Sequence, residues 1–188
     1  MVEYFNKRVM EQGISSDEMR AVCVELKGED GELEGMEFDV VMCAQAYHHL
    51  PSIEDTTKIL AHFLKPGGTL MVVDLAKNEN GIDFHDYVGK LADSGATMED
   101  VLCHEAHQAH EHVDGNGHGH GHHHAAAKHG TKISHVVAHK GGFHEHQIRK
   151  AFEEAGLQEF QWKIAGAVQP LRGPRSVDLF LATGQKPE

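Results

Sequence analysis

Phe38-Asp39-Val40-Val41-Met42-Cys43-Ala44 decides the fold. After its single Asp the stretch is apolar without alternation, the pattern of a strand in a parallel sheet covered on both faces. Ser52 with Asp55 three residues later resembles a capping box, and Ile53, Leu60, Phe63 and Leu64 give the apolar face of a helix. That helix is predicted to end at Lys65-Pro66-Gly67-Gly68, where Pro and Gly force a tight turn. A second buried strand, Thr69 to Leu75, follows, completing the strand, helix and strand of a right-handed parallel crossover.

Towards the N-terminus, Val2, Phe5, Val9 and Met10 predict a helix over Val2 to Gln12 that Gly13 stops. Ala21 to Leu26 alternates and predicts a short strand, followed by the acidic loop Lys27 to Glu37. Towards the C-terminus, Ile148, Ala151, Phe152 and Ala155 form a helical stripe within Phe143 to Ala155, with Gly156 as its stop. Strands Glu159 to Ala165 and Val177 to Thr183 are predicted to pair as an antiparallel hairpin. Residues 78–135 read differently, with weakly patterned helices over Asp83 to Ala92 and Met98 to His112 and the low-complexity run Gly115 to His124. This stretch is expected to be a His-rich insertion or lid, partly disordered, within one domain spanning 1–188.

Composition narrows the function classes. Seventeen Lys and Arg against 29 Asp and Glu give a formal net charge of -12, with no basic patch for a phosphate backbone, so nucleic acid is not an expected partner. The apolar runs are far shorter than the roughly 20 residues a membrane span needs, and the N-terminus lacks a signal-peptide pattern, which predicts a cytoplasmic protein. Cys23, Cys43 and Cys103 are widely spaced and the first two fall in predicted strands, so buried reduced thiols are expected rather than a disulfide framework or a metal knuckle.

The order FDVVMCAQAYHHL, LKPGGTLMVVDL and GGFHEHQIRKAFEEAGL, closed by a hairpin, resembles the second half of class I S-adenosylmethionine (SAM)-dependent methyltransferases of the small-molecule type, often called type 11. The resemblance covers about 38–76 and 136–184 and, more loosely, Val2 to Leu26. It implies an α/β, Rossmann-like methyltransferase sheet, mostly parallel with a C-terminal antiparallel hairpin and lacking the first two strands. In the family's sheet order, 3-2-1-4-5-7-6, Phe38-Asp39 would open the fourth strand, Thr69 to Leu75 would be the fifth, and Ala155-Gly156-Leu157 would start the sixth. The opening MVEYFNKRV resembles the helix after the second strand, which puts Met1 at an internal position of the family pattern. The first strand with its glycine-rich turn and the ribose-binding carboxylate are then not among these residues. Either Ala21 to Leu26 pairs with Phe38 to Ala44, or a sheet edge stays open for self-association.

The resemblance also implies a site. Ligands of open α/β sheets bind at the carboxyl ends of the strands. Cys43, Ala44 and Gln45 would lie beside the methionine end of SAM, and Glu25 and Leu26 against its adenine. Relatives that methylate O or N use a histidine base and an acidic orienter at positions matched by His48 or His49 and by Asp74. Tyr47 and His139 would line the pocket of a small-molecule methyl acceptor. A packing or capping role for the histidines is the competing expectation, because alignment alone can support methyl transfer.

Fourteen of the 18 histidines fall between His104 and His146. HEAH at 104–107 is one residue short of the HExxH spacing, so no metal site is assigned, although His118 to His124 could chelate Zn, Ni or Cu. Three functions therefore stand at this stage: a SAM-dependent methyltransferase, a non-catalytic truncated paralogue acting through a sheet edge, or a His-rich metal-binding protein.

Overall fold

The computed structural model describes residues 1–77, 138–168 and 176–188. They form two compact units, Met1–Met36 and Glu37–Glu188. The predicted helices over Asp83 to Ala92 and Met98 to His112, and the His-Gly run, lie outside the described residues.

The first unit contains helix α1, Val2–Glu11, which buries Val9. The strand expected over Ala21 to Leu26 is absent; Val22 and Val24 are exposed in a stretch without regular structure. The cause is local. The Asn6 side chain accepts from the Ala21 N–H at 2.7 Å and donates to its carbonyl at 2.9 Å, satisfying that residue's backbone without a strand partner. The acidic loop closes on itself, since the Glu32 carboxylate accepts from the backbone N–H of Lys27, Gly28 and Glu29 at 2.9 to 3.1 Å.

In the second unit the elements are β1 (Phe38–Ala44), α2 (Ile53–His62), β2 (Leu64–Leu75), α3 (Glu145–Glu154), β3 (Gln158–Val168) and β4 (Val177–Gln185). The sheet order is β1-β2-β4-β3. β1 and β2 are parallel, as a strand-helix-strand crossover requires, and β4 runs antiparallel to both β2 and β3. This is the 4-5-7-6 part of the expected sheet, with the last strand inserted inside the hairpin. Among the described strands β1 pairs with β2 alone, so its outer edge is open.

One face of the sheet is covered. Leu70 and Val72 of β2 and Phe180 and Ala182 of β4 pack with Ile53 and Ala61 of α2 and Ile148, Ala151 and Phe152 of α3 into one core. Gly184 is needed there, because a Cβ on it would come within 2.6 Å of the Phe152 ring. Salt bridges Lys58 to Glu154 at 3.8 Å and Lys150 to Glu54 at 3.7 Å cross between the two helices on the solvent side. On the opposite face Val40 and Met42 are 54% and 65% exposed, and Met71, Val73, Leu179 and Leu181 are half-buried.

The Lys65-Pro66-Gly67-Gly68 tract, expected as a turn before the strand, is the irregular start of β2 itself, with a register shift opposite Phe38 and Val40. Gly67 takes the left-handed conformation, φ 76°, and donates to the Lys186 carbonyl. Lys186 returns the clamp through its Nζ, which donates to the His62 and Leu64 carbonyls at the C-terminus of α2.

Candidate active site at the carboxyl ends of β1 and β2

β1 leaves the sheet at Gln45, a non-glycine residue at φ 54° whose N–H still bonds the Val73 carbonyl at 2.8 Å. A left-handed non-glycine residue is costly and persists where its surroundings fix it. The chain then makes a tight turn over Tyr47–His49 before Ser52 caps α2 by accepting from the Asp55 N–H.

The three residues of this turn go to different places. Tyr47 is fully buried, its hydroxyl 3.0 Å from Thr57 Oγ1 beneath α2. It is a core residue in this structure, and burial raises its phenol far above the ordinary tyrosine value. His48 is buried as well, with Nδ1 2.7 Å from Asp74 Oδ1. His49 is exposed, and its ring lies 4.0 Å from the His48 ring, centroid to centroid.

Asp74 closes the inner row of β2 with a fully buried carboxylate. Its oxygens accept three donors: His48 Nδ1–H, the His48 backbone N–H at 3.3 Å and the Leu75 N–H at 2.7 Å. His48 and Asp74, 26 residues apart in the chain, are in direct hydrogen-bond contact. Cys43, paired with Val72 from the neighbouring strand β1, is half-buried, and burial first and the Asp74 charge second push its thiol up.

The segment that leads into α3 returns to this place. His139 N–H donates to the His48 carbonyl at 3.0 Å, and Phe143 pairs with Ala76 through Phe143 N–H to Leu75 O and Lys77 N–H to Phe143 O. Gly142 sits against Leu75 at φ 83°, where any Cβ would collide with the Leu75 carbonyl. This contact is not visible in the sequence, except as the pair Gly141-Gly142 before an apolar residue. The His139 ring packs against Phe143, and its Nε2 is a buried side-chain atom with no hydrogen-bond partner among the described residues. A buried polar nitrogen without a partner needs an explanation such as a ligand or a water.

Of the residues expected at the site, His48, Asp74 and His139 are joined by hydrogen bonds, the His49 ring lies tilted against that of His48, and Cys43 and Ala44 end β1, with Gln45 directly after it. Glu25 and Leu26 belong to the first unit, in its loop preceding Lys27. Among the described residues no group of three or more His, Cys, Asp or Glu is placed to hold a metal ion, and no helix is long and apolar enough to cross a membrane.

Residues 1–72 match the family model described as a methyltransferase domain. An uncharacterized methyltransferase of Schizosaccharomyces pombe is 34% identical over 113 residues, covering 54% of this chain and 39% of that protein. The chain thus spans about two fifths of the curated relative it matches. Among solved structures, a SAM-dependent methyltransferase from Methanosarcina mazei is similar at TM-score 0.52 and 15% identity, over 99% of this chain and 77% of that one. The apo SAM-dependent methyltransferase SibL gives 0.54 at 12% identity, over 97% of this chain and 40% of its own. The [4+2]-cyclase SpnF gives 0.55 at 14% identity, over 99% and 62%, so the same fold also serves a reaction of another class. By its sequence match over residues 1–72 this chain is similar to a methyltransferase domain, and its fold is similar to that of solved SAM-dependent methyltransferases.

Proposed function

We propose that this chain contributes the acceptor side of a SAM-dependent methyltransferase acting on a small molecule. The observation that carries the reading is the buried His48–Asp74 pair at the carboxyl end of β2, beside the strained exit of β1 at Gln45. The residues fit the methionine end of the cofactor: Ala44 and Gln45 are exposed at the strand end, and Cys43 is half-buried beneath them. They would hold SAM there. SAM supplies an electrophilic methyl group when bound. The chain's own part is to orient the acceptor, keep water from it, and take a proton on an imidazole of the Tyr47–His49 turn. His139, with its unsatisfied Nε2, is assigned to the pocket wall.

Isothermal titration with SAM tests the reading. Micromolar binding supports it, and no heat up to millimolar SAM would sink it. A second reading, a non-catalytic partner module, is favoured by one observation, the open β1 edge flanked by exposed Val40 and Met42. An open, apolar strand edge is a template for another strand, so self-association through β1 is the form this reading takes.

A further inference from the structure

We propose that the exposed face of α1 is a pairing surface for a second copy of this chain, with the two α1 helices antiparallel about a two-fold axis beside Phe5. Its residues belong to the first unit and are shared neither with the methyl-transfer site nor with the open β1 edge.

α1 is a helix of ten residues that buries only Val9. A helix this short is marginal by itself and depends on packing its apolar face. Its large apolar side chains instead lie in the open: Tyr4 is 66% and Phe5 43% exposed, and Met1 is exposed beside them. With Arg8, these residues recur at the i, i+3, i+4, i+7 spacing of a single helix face. A groove of about 530 Å³ follows that face, lined by Met1, Val2, Tyr4, Phe5, Arg8 and Ala21. All of these but Arg8 offer apolar or aromatic surface, and the Arg8 guanidinium is drawn to the Tyr4 hydroxyl at 3.4 Å. The groove therefore suits large apolar side chains bordered by charge.

Charge selects the occupant. α1 carries Glu3 in its first turn and Lys7 and Arg8 towards its last. A second α1 laid parallel would set Glu3 on Glu3 and Arg8 on Arg8. Laid antiparallel, each Glu3 faces the Lys7 and Arg8 of the other copy, the two Phe5 rings meet at the axis, and each Tyr4 enters the other copy's groove. A two-fold contact repeats every pair, so each charge pair acts twice. Lys7 is available for this role: Glu11, its partner on the same helix, stands at 3.8 Å with both side chains more than half exposed, a weak pair. A chain of net charge -12 repels its own copy at long range. The stretch Met1 to Arg8, with one acidic side chain against two basic ones, does not add to that repulsion.

Sedimentation equilibrium of the full chain tests the pairing. One helix face is a small contact, so a dimer with a dissociation constant in the micromolar range is expected. Glu3→Lys, which makes the face wholly basic, should weaken the dimer about tenfold or more. Lys7→Glu combined with Arg8→Glu, which makes it wholly acidic, should do the same. Mixed in equal amounts, the two variants should pair with each other about as well as the wild type pairs with itself, a rescue that neither a misfolded helix nor a merely lost contact would give. A wild type that stays monomeric up to about 100 μM overturns the proposal. So does a dimer indifferent to Glu3→Lys, or a mixture of the two variants that fails to pair. Association that Met42→Lys removes and Glu3→Lys leaves intact belongs to the β1 edge and equally overturns it.

Discussion

Asp74 concentrates more consequence than any other single residue described. Three donors converge on one fully buried carboxylate, so Asp74→Ala strands all of them at once. Each buried donor left without its acceptor costs about 1–3 kcal/mol, and urea unfolding of Asp74→Ala should show a loss of about 3 kcal/mol or more. The same charge acts on Cys43. Because burial and then Asp74 raise its thiol, less of it is thiolate at a given pH than for the exposed Cys23. Iodoacetamide at pH 8 should therefore alkylate Cys43 more slowly than Cys23, by about tenfold for each unit of displacement, and Asp74→Asn should narrow the gap. The sign for stability follows: the folded state holds the thiol protonated, so this contribution is present below the unfolded thiol value and fades as pH rises through the folded one.

At the scale of elements, caps and clamps account for how well the sequence could be read. β1 was legible as a strand from its apolar run, though not in its burial, since among the described residues it pairs with β2 alone and exposes Val40 and Met42; α2 was legible because Ser52 sits where a cap must sit. Ser52→Ala should cost about 1 kcal/mol in urea unfolding, through loss of the bond to the Asp55 N–H. The start of β2 was not legible. Pro66 and two glycines argue for a turn, and the tract joins the strand only because Lys186, 122 residues away, binds the Leu64 carbonyl. Lys186→Met should cost about 1.5–3 kcal/mol, the range for hydrogen bonds from a charged donor, discounted towards the lower end for partial exposure. Ala21 to Leu26 failed in the opposite direction. Its alternation satisfies the strand pattern, but a strand exists only through a partner, and Asn6 captures Ala21 first.

For the molecule as a whole, the sheet order and the covered face were legible from three ordered motifs, while the site was legible only as a list. Nothing in the string Tyr47-His48-His49 separates a core residue, an anchored imidazole and an exposed one; the turn geometry after Gln45 does. The open edge is the whole-molecule counterpart. If β1 recruits a second copy, sedimentation velocity should show concentration-dependent association of the wild type, and Met42→Lys should abolish it by placing a charge on the exposed strand. A wild type that stays monomeric at high concentration would exclude this mode.

The pairing of Phe143 with Ala76 has a consequence for sequence length. Lys77 and Phe143 are held at the same end of β2, Phe143 pairing with Ala76, so the described residues on either side of 78–137 meet in a fixed neck. Closing a flexible loop costs only about 0.6 kcal/mol more for each doubling of its length. By that scaling, the number of residues between the two ends is a weaker lever on the sheet than the pairing that holds those ends together. Gly142→Ala, which forces the neck apart, should lower the melting temperature of the sheet by several degrees in a thermal scan.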